Sequence, residues 1–88
     1  MRNWHVYIVE CADHTLYTGV AVDIEARVSR HNAGAGAKYT RSRLPVKLVY
    51  SELTGDRGSA LRRELEIKNL DVSAKRRLVS AGRIKKKC

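Results

Sequence analysis

The sequence has 88 residues, of which 43% are hydrophobic, and it carries 18 Lys and Arg against 9 Asp and Glu. A chain of this length builds one small domain, and its hydrophobic content excludes a disordered segment. The net charge of +9 favours a polyanionic partner, foremost nucleic acid, and a basic ribosomal component is the alternative.

Cysteine content and hydropathy bear on the compartment. Cys11 lies in a predicted strand and Cys88 is the last residue, so neither a disulfide framework nor a metal-ligand spacing is present. No apolar run reaches membrane-spanning length, and the first residues lack the apolar core of a signal peptide. We therefore expect a cytoplasmic protein with no membrane partner.

A β-hairpin is the first predicted element. Residues 5–11 and 15–22 are rich in β-branched and aromatic side chains, and residues 12–14 supply turn chemistry between them. Gly19 interrupts the second strand, which indicates either a bulge or a place where another backbone or a ligand comes close.

The length of the hairpin loop decides where the tyrosines of the two strands lie. A two-residue loop would place Tyr7 and Tyr17 on opposite faces of the hairpin. A three- or five-residue loop centred on Asp13 would pair Tyr7 with Gly19 and place both tyrosines on one face, as diagonal neighbours. A site that the tyrosines share therefore requires the odd-length loop or a bulge.

A short helix is predicted next. Asp23 is a suitable N-cap for a helix over residues 24–32. Arg27 and His31 stand four residues apart beside its apolar stripe, so their side chains can meet a common ligand. The glycines and alanines of residues 32–36 predict a flexible loop after it.

The second half of the chain predicts one strand and two helices. A strand is expected over residues 46–53 and the main helix over residues 59–70, with Ser73 capping a last helix that ends near residue 82. Residues 83–88 form a basic tail that we expect to be mobile. The predicted fold class is α+β, with a three-stranded, mainly antiparallel sheet flanked by helices in the order β-β-α-β-α-α, over a single domain of residues 1–82.

One carboxylate of the main helix is predicted to point inward. Helical spacing places Glu64 near the centre of an apolar arc and Glu66 toward water, the arc being Ala60, Leu61, Leu65 and Ile67. An inward carboxylate is costly unless something compensates its charge. Lys68, four residues on, is one candidate partner, and a divalent cation such as Mg²⁺ is the other.

Two tripeptides, Val6-Tyr7-Ile8 and Tyr17-Thr18-Gly19, resemble the two halves of the GIY-YIG endonuclease signature. Arg27, His31 and Glu64 follow in the order and spacing typical of that family. The chain resembles the small stand-alone bacterial GIY-YIG proteins and is similar also to the nuclease domain of UvrC. It lacks the leading glycine of the first motif, and basic residues 75–77 stand where some members carry an asparagine.

The resemblance implies a metal-dependent DNA endonuclease or nickase that functions in DNA repair, recombination or processing. Glu64 would ligate one divalent metal ion, Mg²⁺ or Mn²⁺, and Arg27 would neutralise charge developing on the phosphate. One tyrosine, with Tyr7 as the first candidate, would accept a proton from the attacking water, which requires nearby cations because a free tyrosine has a pKa of about 10. Tyr17 or His31 would orient the water or share that task.

Several basic and aromatic residues are expected to bind nucleic acid, namely Lys38, Tyr39, Arg41, Arg43, Arg63 and Lys68. The cations would follow the phosphate backbone, and Tyr39 would stack on a base or simply pack. No helix-turn-helix or zinc finger is present to read a base sequence. The alternative to an enzyme is a non-catalytic nucleic-acid-binding module, or a nuclease subunit whose activity needs a partner protein.

Overall fold

The computed structural model describes residues 3–87, with side chains described through residue 82. Its elements are β1 (Trp4–Glu10), β2 (Leu16–Ala21), α1 (Ile24–Asn32), α2 (Lys38–Arg41), β3 (Lys47–Gly55), α3 (Arg57–Lys68) and α4 (Val72–Lys87). The predicted α+β class and element order are confirmed. One element is additional, because the basic segment that follows the Gly-Ala loop forms the four-residue helix α2.

All three strands pair antiparallel in the order β2-β1-β3, so β1 is central. A three-residue loop over residues 12–14 closes the hairpin, with the Cys11 amide donating to the Thr15 carbonyl at 2.9 Å. His14 takes the left-handed conformation at φ 69° that ends such a loop. Tyr7 pairs with Gly19, as the odd-length alternative predicts, and both tyrosines lie on one face.

The alternating side chains of β1 enter two separate cores. We call the first the apolar face; its buried residues are Val6, Ile8, Val49, Ala60, Ile67 and Val79, and it packs against α3 and α4. We call the second the tyrosine face; its buried residues are Tyr7, Val9, Cys11, Ala21 and Val46, and Ile24 and Val28 of α1 pack on it. Helices therefore cover both faces of a small sheet.

Aspartate side chains cap three of the helices. Asp23 accepts a hydrogen bond from the Ala26 amide at 3.1 Å, as predicted, and Asp56 caps α3 in the same way. Asp71 rather than Ser73 caps α4, which therefore begins at Val72.

Helix α4 is longer than predicted. Its backbone continues to Lys87, through most of the segment expected to be a tail. The side chains of residues 83–87 and all of Cys88 lie outside the described part, and the mobility of residues 83–88 stays a prediction. No helix within residues 3–87 is long and apolar enough to cross a membrane.

Helix α3 turns a different side to the sheet from the one its apolar arc predicts. Ala60 and Ile67 are fully buried, but Leu61 and Leu65 are 38% and 61% exposed, so the prediction is wrong for the leucines. Ala60 and Ile67 fix the middle of the buried side, and helical geometry puts both leucines more than about 100° away from it. Glu64 lies close to that middle, with a side chain 19% exposed, so its inward direction is confirmed.

Candidate active site

Tyr7 reaches the site because the residue opposite it has no side chain. A Cβ atom on Gly19 would lie 2.6 Å from the Tyr7 hydroxyl oxygen and 2.7 Å from Cζ. The Tyr7 ring therefore lies across β2 and is almost wholly buried. The register of β1 and β2 is continuous at Gly19, so there is no bulge, and the group that comes close is a tyrosine side chain rather than the predicted backbone or ligand.

His31 comes from the last turn of α1 and is fully buried. The neighbouring Asn32 ties this turn to the start of β3, since its side-chain amide accepts from the Val46 amide at 2.7 Å and donates to the Val46 carbonyl at 3.0 Å. A Cβ atom on Gly36 would lie 2.3 Å from His31 Nδ1, so this glycine lets the following segment cross the imidazole. The predicted flexible loop is thus a close cover over His31.

Tyr7, His31 and Thr40 form a buried chain of hydrogen bonds. The Tyr7 hydroxyl lies 2.8 Å from His31 Nε2, and His31 Nδ1 lies 2.9 Å from Thr40 Oγ1. Thr40 Oγ1 lies a further 2.9 Å from the Ala37 carbonyl oxygen, to which it donates. All three side chains are buried. We call this set the relay, defined by Tyr7, His31 and Thr40.

The Thr40 hydroxyl fixes the direction of the relay. Its single proton goes to the Ala37 carbonyl, because two oxygen atoms at 2.9 Å without a proton between them would repel. Thr40 Oγ1 must then accept a hydrogen bond from Nδ1–H of His31. In a neutral imidazole Nε2 is left as an acceptor, so Tyr7 donates its hydroxyl proton to His31.

The ionisation of the relay agrees with this direction. Burial raises the pKa of Tyr7; Arg27 opposes that shift through a hydrogen bond and its charge, whereas Tyr17 and Glu64 add to it. Burial lowers the pKa of His31, and the charge of Arg27 lowers it further. A neutral tyrosine thus donates to a neutral histidine. Arg27 is one of the cations that a base role for Tyr7 requires, but burial outweighs its effect on the Tyr7 pKa.

Arg27 and Glu64 lie within electrostatic reach of the Tyr7 hydroxyl. Arg27 Nε is buried and has no hydrogen-bond partner within residues 3–82. Glu64 Oε2 lies 3.3 Å from Lys68 Nζ, and that ammonium lies 5.9 Å from the centre of the Tyr17 ring. Of the two partners considered for Glu64, the lysine is therefore in contact with it.

The acidic groups of the site can hold a metal ion only if water and substrate supply its other ligands. Within the described residues no cluster of three or more His, Cys, Asp or Glu side chains could enclose a cation. Mg²⁺ is commonly held by one or two carboxylates together with water and substrate phosphate. The single Glu64 carboxylate fits that mode and does not fit an all-protein cage.

Comparisons with known proteins agree with this geometry. The GIY-YIG catalytic domain matches residues 3–77. The chain belongs to the GIY-YIG family. It is 56% identical to a UPF0213 protein of Desulfotalea psychrophila over 80 residues, covering 90% of this chain and 73% of that protein. A UPF0213 protein of Haloquadratum walsbyi is 53% identical over 83 residues, covering 93% of each chain.

Solved structures of GIY-YIG relatives have the same fold. The solution NMR structure of the UPF0213 protein BH0048 from Bacillus halodurans is similar with a TM-score of 0.58 and 43% identity, covering 90% of this chain and 84% of that one. That of the protein EF2693 from E. faecalis gives 0.59 and 30%, covering 91% and 86%. A GIY-YIG domain implies a nuclease with DNA as substrate, and such nucleases generally use divalent metal ions.

The residues expected to contact DNA divide into two groups in this GIY-YIG domain. Lys38 and Arg41 are exposed and form no ion pair within residues 3–82. Arg43, Arg63 and Lys68 are each paired with carboxylates: Arg43 with Asp13, Arg63 with Glu52 and Glu66, and Lys68 with Glu64. Those pairs offset part of the positive charge available to a phosphate.

Tyr39 belongs to an aromatic stack beside the site. Its ring stacks on Tyr17 at 5.9 Å between centroids and 20° between planes, and the Arg43 guanidinium carbon lies 4.0 Å from the Tyr39 centroid. Tyr17 also meets the His31 ring edge-on at 5.5 Å. The stack links the relay to the basic helix α2.

Thr40 is the functional candidate that sequence reasoning missed. It stands between exposed residues in a basic segment, and no local periodicity marks it as buried. Its burial depends on contact with His31, nine residues earlier, and on the glycine that lets the chain fold back. The available signal for this contact was the glycine-alanine run after α1. Gly36 leaves space for the His31 imidazole, which a loop that is merely flexible does not need.

Proposed function

We propose that this protein is a divalent-metal-dependent endonuclease or nickase that hydrolyses DNA phosphodiester bonds, in DNA repair, recombination or processing. The observation that carries the proposal is the relay of Tyr7, His31 and Thr40, with Arg27 and Glu64 beside its tyrosine end. Burying a tyrosine hydroxyl, an imidazole and a threonine in an 88-residue domain is costly compared with apolar side chains. A catalytic use explains why these groups meet.

The relay supplies a route for the proton of the attacking water. Tyr7 stays protonated at neutral pH and passes its proton to His31 Nε2 while its oxygen receives one from the water. His31 becomes an imidazolium, whose Nδ1–H stays bonded to Thr40. Tyr7 therefore acts as a proton carrier, and His31 is the group that holds the proton.

Arg27 and Glu64 act on the phosphate side of the site. The Arg27 guanidinium has a buried nitrogen that finds no partner among the described side chains, and it can donate to a phosphate oxygen as negative charge develops there. Glu64 would hold the divalent metal ion through its carboxylate. When bound, that ion polarises the phosphate and stabilises the leaving oxygen.

The contact between Glu64 and Lys68 favours one competing function. In a module that binds nucleic acid without cutting it, Glu64 would need no more than this lysine, which lies 3.3 Å away. The nuclease and the binding module would share the fold and the basic surface. They differ in what the carboxylate does when DNA is present.

Two substitutions at this ion pair distinguish the nuclease from the non-catalytic binding module. We would assay labelled single-stranded, duplex and branched DNA with Mg²⁺, with Mn²⁺ and with chelator, comparing wild type, Glu64→Gln and Lys68→Met, and measure DNA binding in parallel. Each variant breaks the same ion pair. As a nuclease, the wild type cuts only with metal, Glu64→Gln binds without cutting, and Lys68→Met still cuts at saturating DNA with weaker affinity.

Two other results would contradict the nuclease activity or the role of Glu64 in it. Binding by all three proteins with no cleavage of any substrate would make the protein a binding module or a partner-dependent subunit. Equal cleavage by Glu64→Gln and Lys68→Met would reduce the carboxylate to an ion-pair partner and remove it from metal ligation.

A further inference from the structure

A second basic surface includes Arg27 and contains neither tyrosine of the Tyr17–Tyr39 stack. It is an open groove of about 490 Å³ where β2 passes into α1. Its charged and aromatic lining consists of Trp4, Asp23, Arg27, Arg30 and Arg57, and the remainder is small and apolar. We call it the tryptophan groove. None of these residues except Arg27 entered the predicted site.

The lining of the tryptophan groove carries a net positive charge. Among the described residues Arg27, Arg30 and Arg57 form no salt bridge, whereas Arg43 and Arg63 each have one or more. The only carboxylate in the lining is Asp23, which already accepts the amide of Ala26 as the cap of α1. Three guanidinium groups against one carboxylate leave the lining with net positive charge, which attracts an anion.

Trp4 gives the groove an aromatic wall. Its indole packs partly on the apolar face and remains partly exposed toward the groove. The Arg57 guanidinium carbon lies 6.0 Å from the centre of the ring. Arginines combined with a half-buried aromatic ring suit a partner that alternates phosphates with flat bases and sugars.

The groove is continuous with the site through Arg27. The charge of Arg27 acts on the Tyr7 hydroxyl, and the same side chain lines the groove. A phosphate held by Arg27 at the relay would therefore have its neighbour on one side at Arg30 and Arg57. The stack of Tyr17 and Tyr39 contacts the relay at His31.

We propose that the tryptophan groove binds the nucleic-acid strand that flanks the scissile phosphate on the Arg27 side, with Arg30 and Arg57 on phosphates and Trp4 against a base or sugar. This inference rests on the proposed function for its substrate. An acidic protein segment would suit the three arginines equally, but it would make no use of a position next to the phosphate-binding Arg27.

Trp4 makes the proposal directly measurable because it is the only tryptophan of the chain. Tryptophan emission would be titrated with single-stranded and duplex oligonucleotides in the presence of chelator, while anisotropy of labelled DNA follows binding independently. Occupation of the groove by DNA quenches Trp4 with the same midpoint as the anisotropy curve. Saturable binding with unchanged Trp4 emission would overturn the proposal.

A matched pair of double variants tests the arginines. Arg30→Ala with Arg57→Ala removes two groove cations, and Arg62→Ala with Arg77→Ala removes two exposed arginines elsewhere. The groove variant is expected to bind DNA about tenfold more weakly, and its salt dependence to fall by roughly 1.4–1.8 in log–log slope, about 0.7–0.9 for each lost phosphate contact. The control variant keeps most of the affinity and of the slope.

The outcomes distinguish this proposal from the proposed nuclease activity. Equal losses in both double variants would mean that only total charge matters and that the groove binds nothing specific. Weaker binding of an acidic peptide but unchanged DNA binding in the groove variant would assign the surface to a protein and overturn the proposal. If wild type binds DNA in the groove without cutting it, the proposed function fails and the groove stands.

Discussion

The two faces of β1 use alternate residues of one strand for different purposes. On the apolar face Val6 and Ile8 meet side chains such as Val49, Ala60 and Ile67, and this face needs nothing beyond shape and hydrophobic burial. On the tyrosine face the residue between them, Tyr7, is equally buried but leads into a chain of polar groups. The apolar face shows what packing alone requires, so the polar groups of the other face need a second explanation.

Two tyrosines make the same contrast at the level of single residues. Tyr50 lies on the apolar side of β3 and donates its hydroxyl to Glu52, which also pairs with Arg63. This group is partly exposed and needs no further partner. Tyr7 donates to an imidazole whose own proton is directed by Thr40. Each face therefore offers a control for substitutions made in the other.

The largest difference between the two faces is expected when a glycine that leaves room for a side-chain ring is replaced by alanine. A Cβ on Gly36 would lie 2.3 Å from His31 Nδ1, and a Cβ on Gly82 would lie 2.6 Å from the Tyr50 ring. Both alanine variants are expected to lose about 1–3 kcal/mol of stability through overpacking. Only Gly36→Ala should lose cleavage, by about 100-fold or more, because it displaces His31. Thermal unfolding and cleavage rates check this, and a folded Gly36→Ala with the wild-type rate would contradict it.

The direction of the relay gives the next largest effect. Thr40→Val removes the acceptor of His31 Nδ1–H, and leaving a buried donor unpaired costs about 1–3 kcal/mol. The imidazole is then free to change tautomer, and cleavage should fall by about tenfold or more. Thr40→Ser keeps the hydroxyl and should restore both the rate and the tautomer, as read from the ring nitrogens of His31 by NMR. A valine variant with unchanged tautomer and rate would remove Thr40 from its positioning role.

Stability as a function of pH distinguishes the buried histidine from an exposed one. Because the folded-state pKa of His31 is lowered, the unfolded chain binds a proton before the native protein does. The stability is complete above the ordinary histidine pKa of about 6.5 and is lost as pH falls below it, at up to about 1.4 kcal/mol per pH unit. Denaturant unfolding between pH 7.5 and 5.5 should show this slope in wild type and in His14→Gln, and lose it in His31→Gln. An unchanged slope in His31→Gln would assign the proton uptake elsewhere.

The smallest effect is expected at the basic helix beside the tyrosine face. Arg41 is exposed and unpaired within residues 3–82, while the Arg43 guanidinium donates to Asp13 and to the Tyr39 carbonyl. Arg41→Gln should lower the salt slope of DNA binding by roughly 0.7–0.9, as the loss of one phosphate contact does. Arg43→Gln should change it less, because that side chain is already engaged. The reverse order would mean that Asp13 releases Arg43 when DNA binds.

Most features that depend on residues close together in the sequence were predicted correctly. The hairpin, the Asp23 cap and the inward Glu64 follow from turn chemistry, capping and helical spacing. The leucines at positions 61 and 65 were misplaced because periodicity gives the width of an apolar arc but not which part of it faces a small sheet. Shape complementarity with Ala60 and Ile67 decides that.

What could not be predicted depends on contacts between distant segments. Thr40 is buried because Gly36 lets the chain cross His31, and the Tyr7 pKa rises because helices cover both faces of the sheet. A free tyrosine beside a cation has its pKa lowered, but burial outweighs the effect of Arg27 here. The sequence therefore indicated Tyr7 and His31 as candidates, whereas the contact with Thr40 and the direction of the hydrogen bonds depend on the packing.

The most direct test of this account is the cleavage rate of Tyr7→Phe against Tyr50→Phe, each at saturating DNA with divalent metal and with thermal unfolding measured in parallel. Both substitutions remove one hydroxyl and one hydrogen bond, one from each face. The account predicts a fall of roughly 10²–10⁴-fold for Tyr7→Phe and a rate within about threefold of wild type for Tyr50→Phe. Equal rates in two folded variants would contradict it, because the buried tyrosine would then be no more than part of the core.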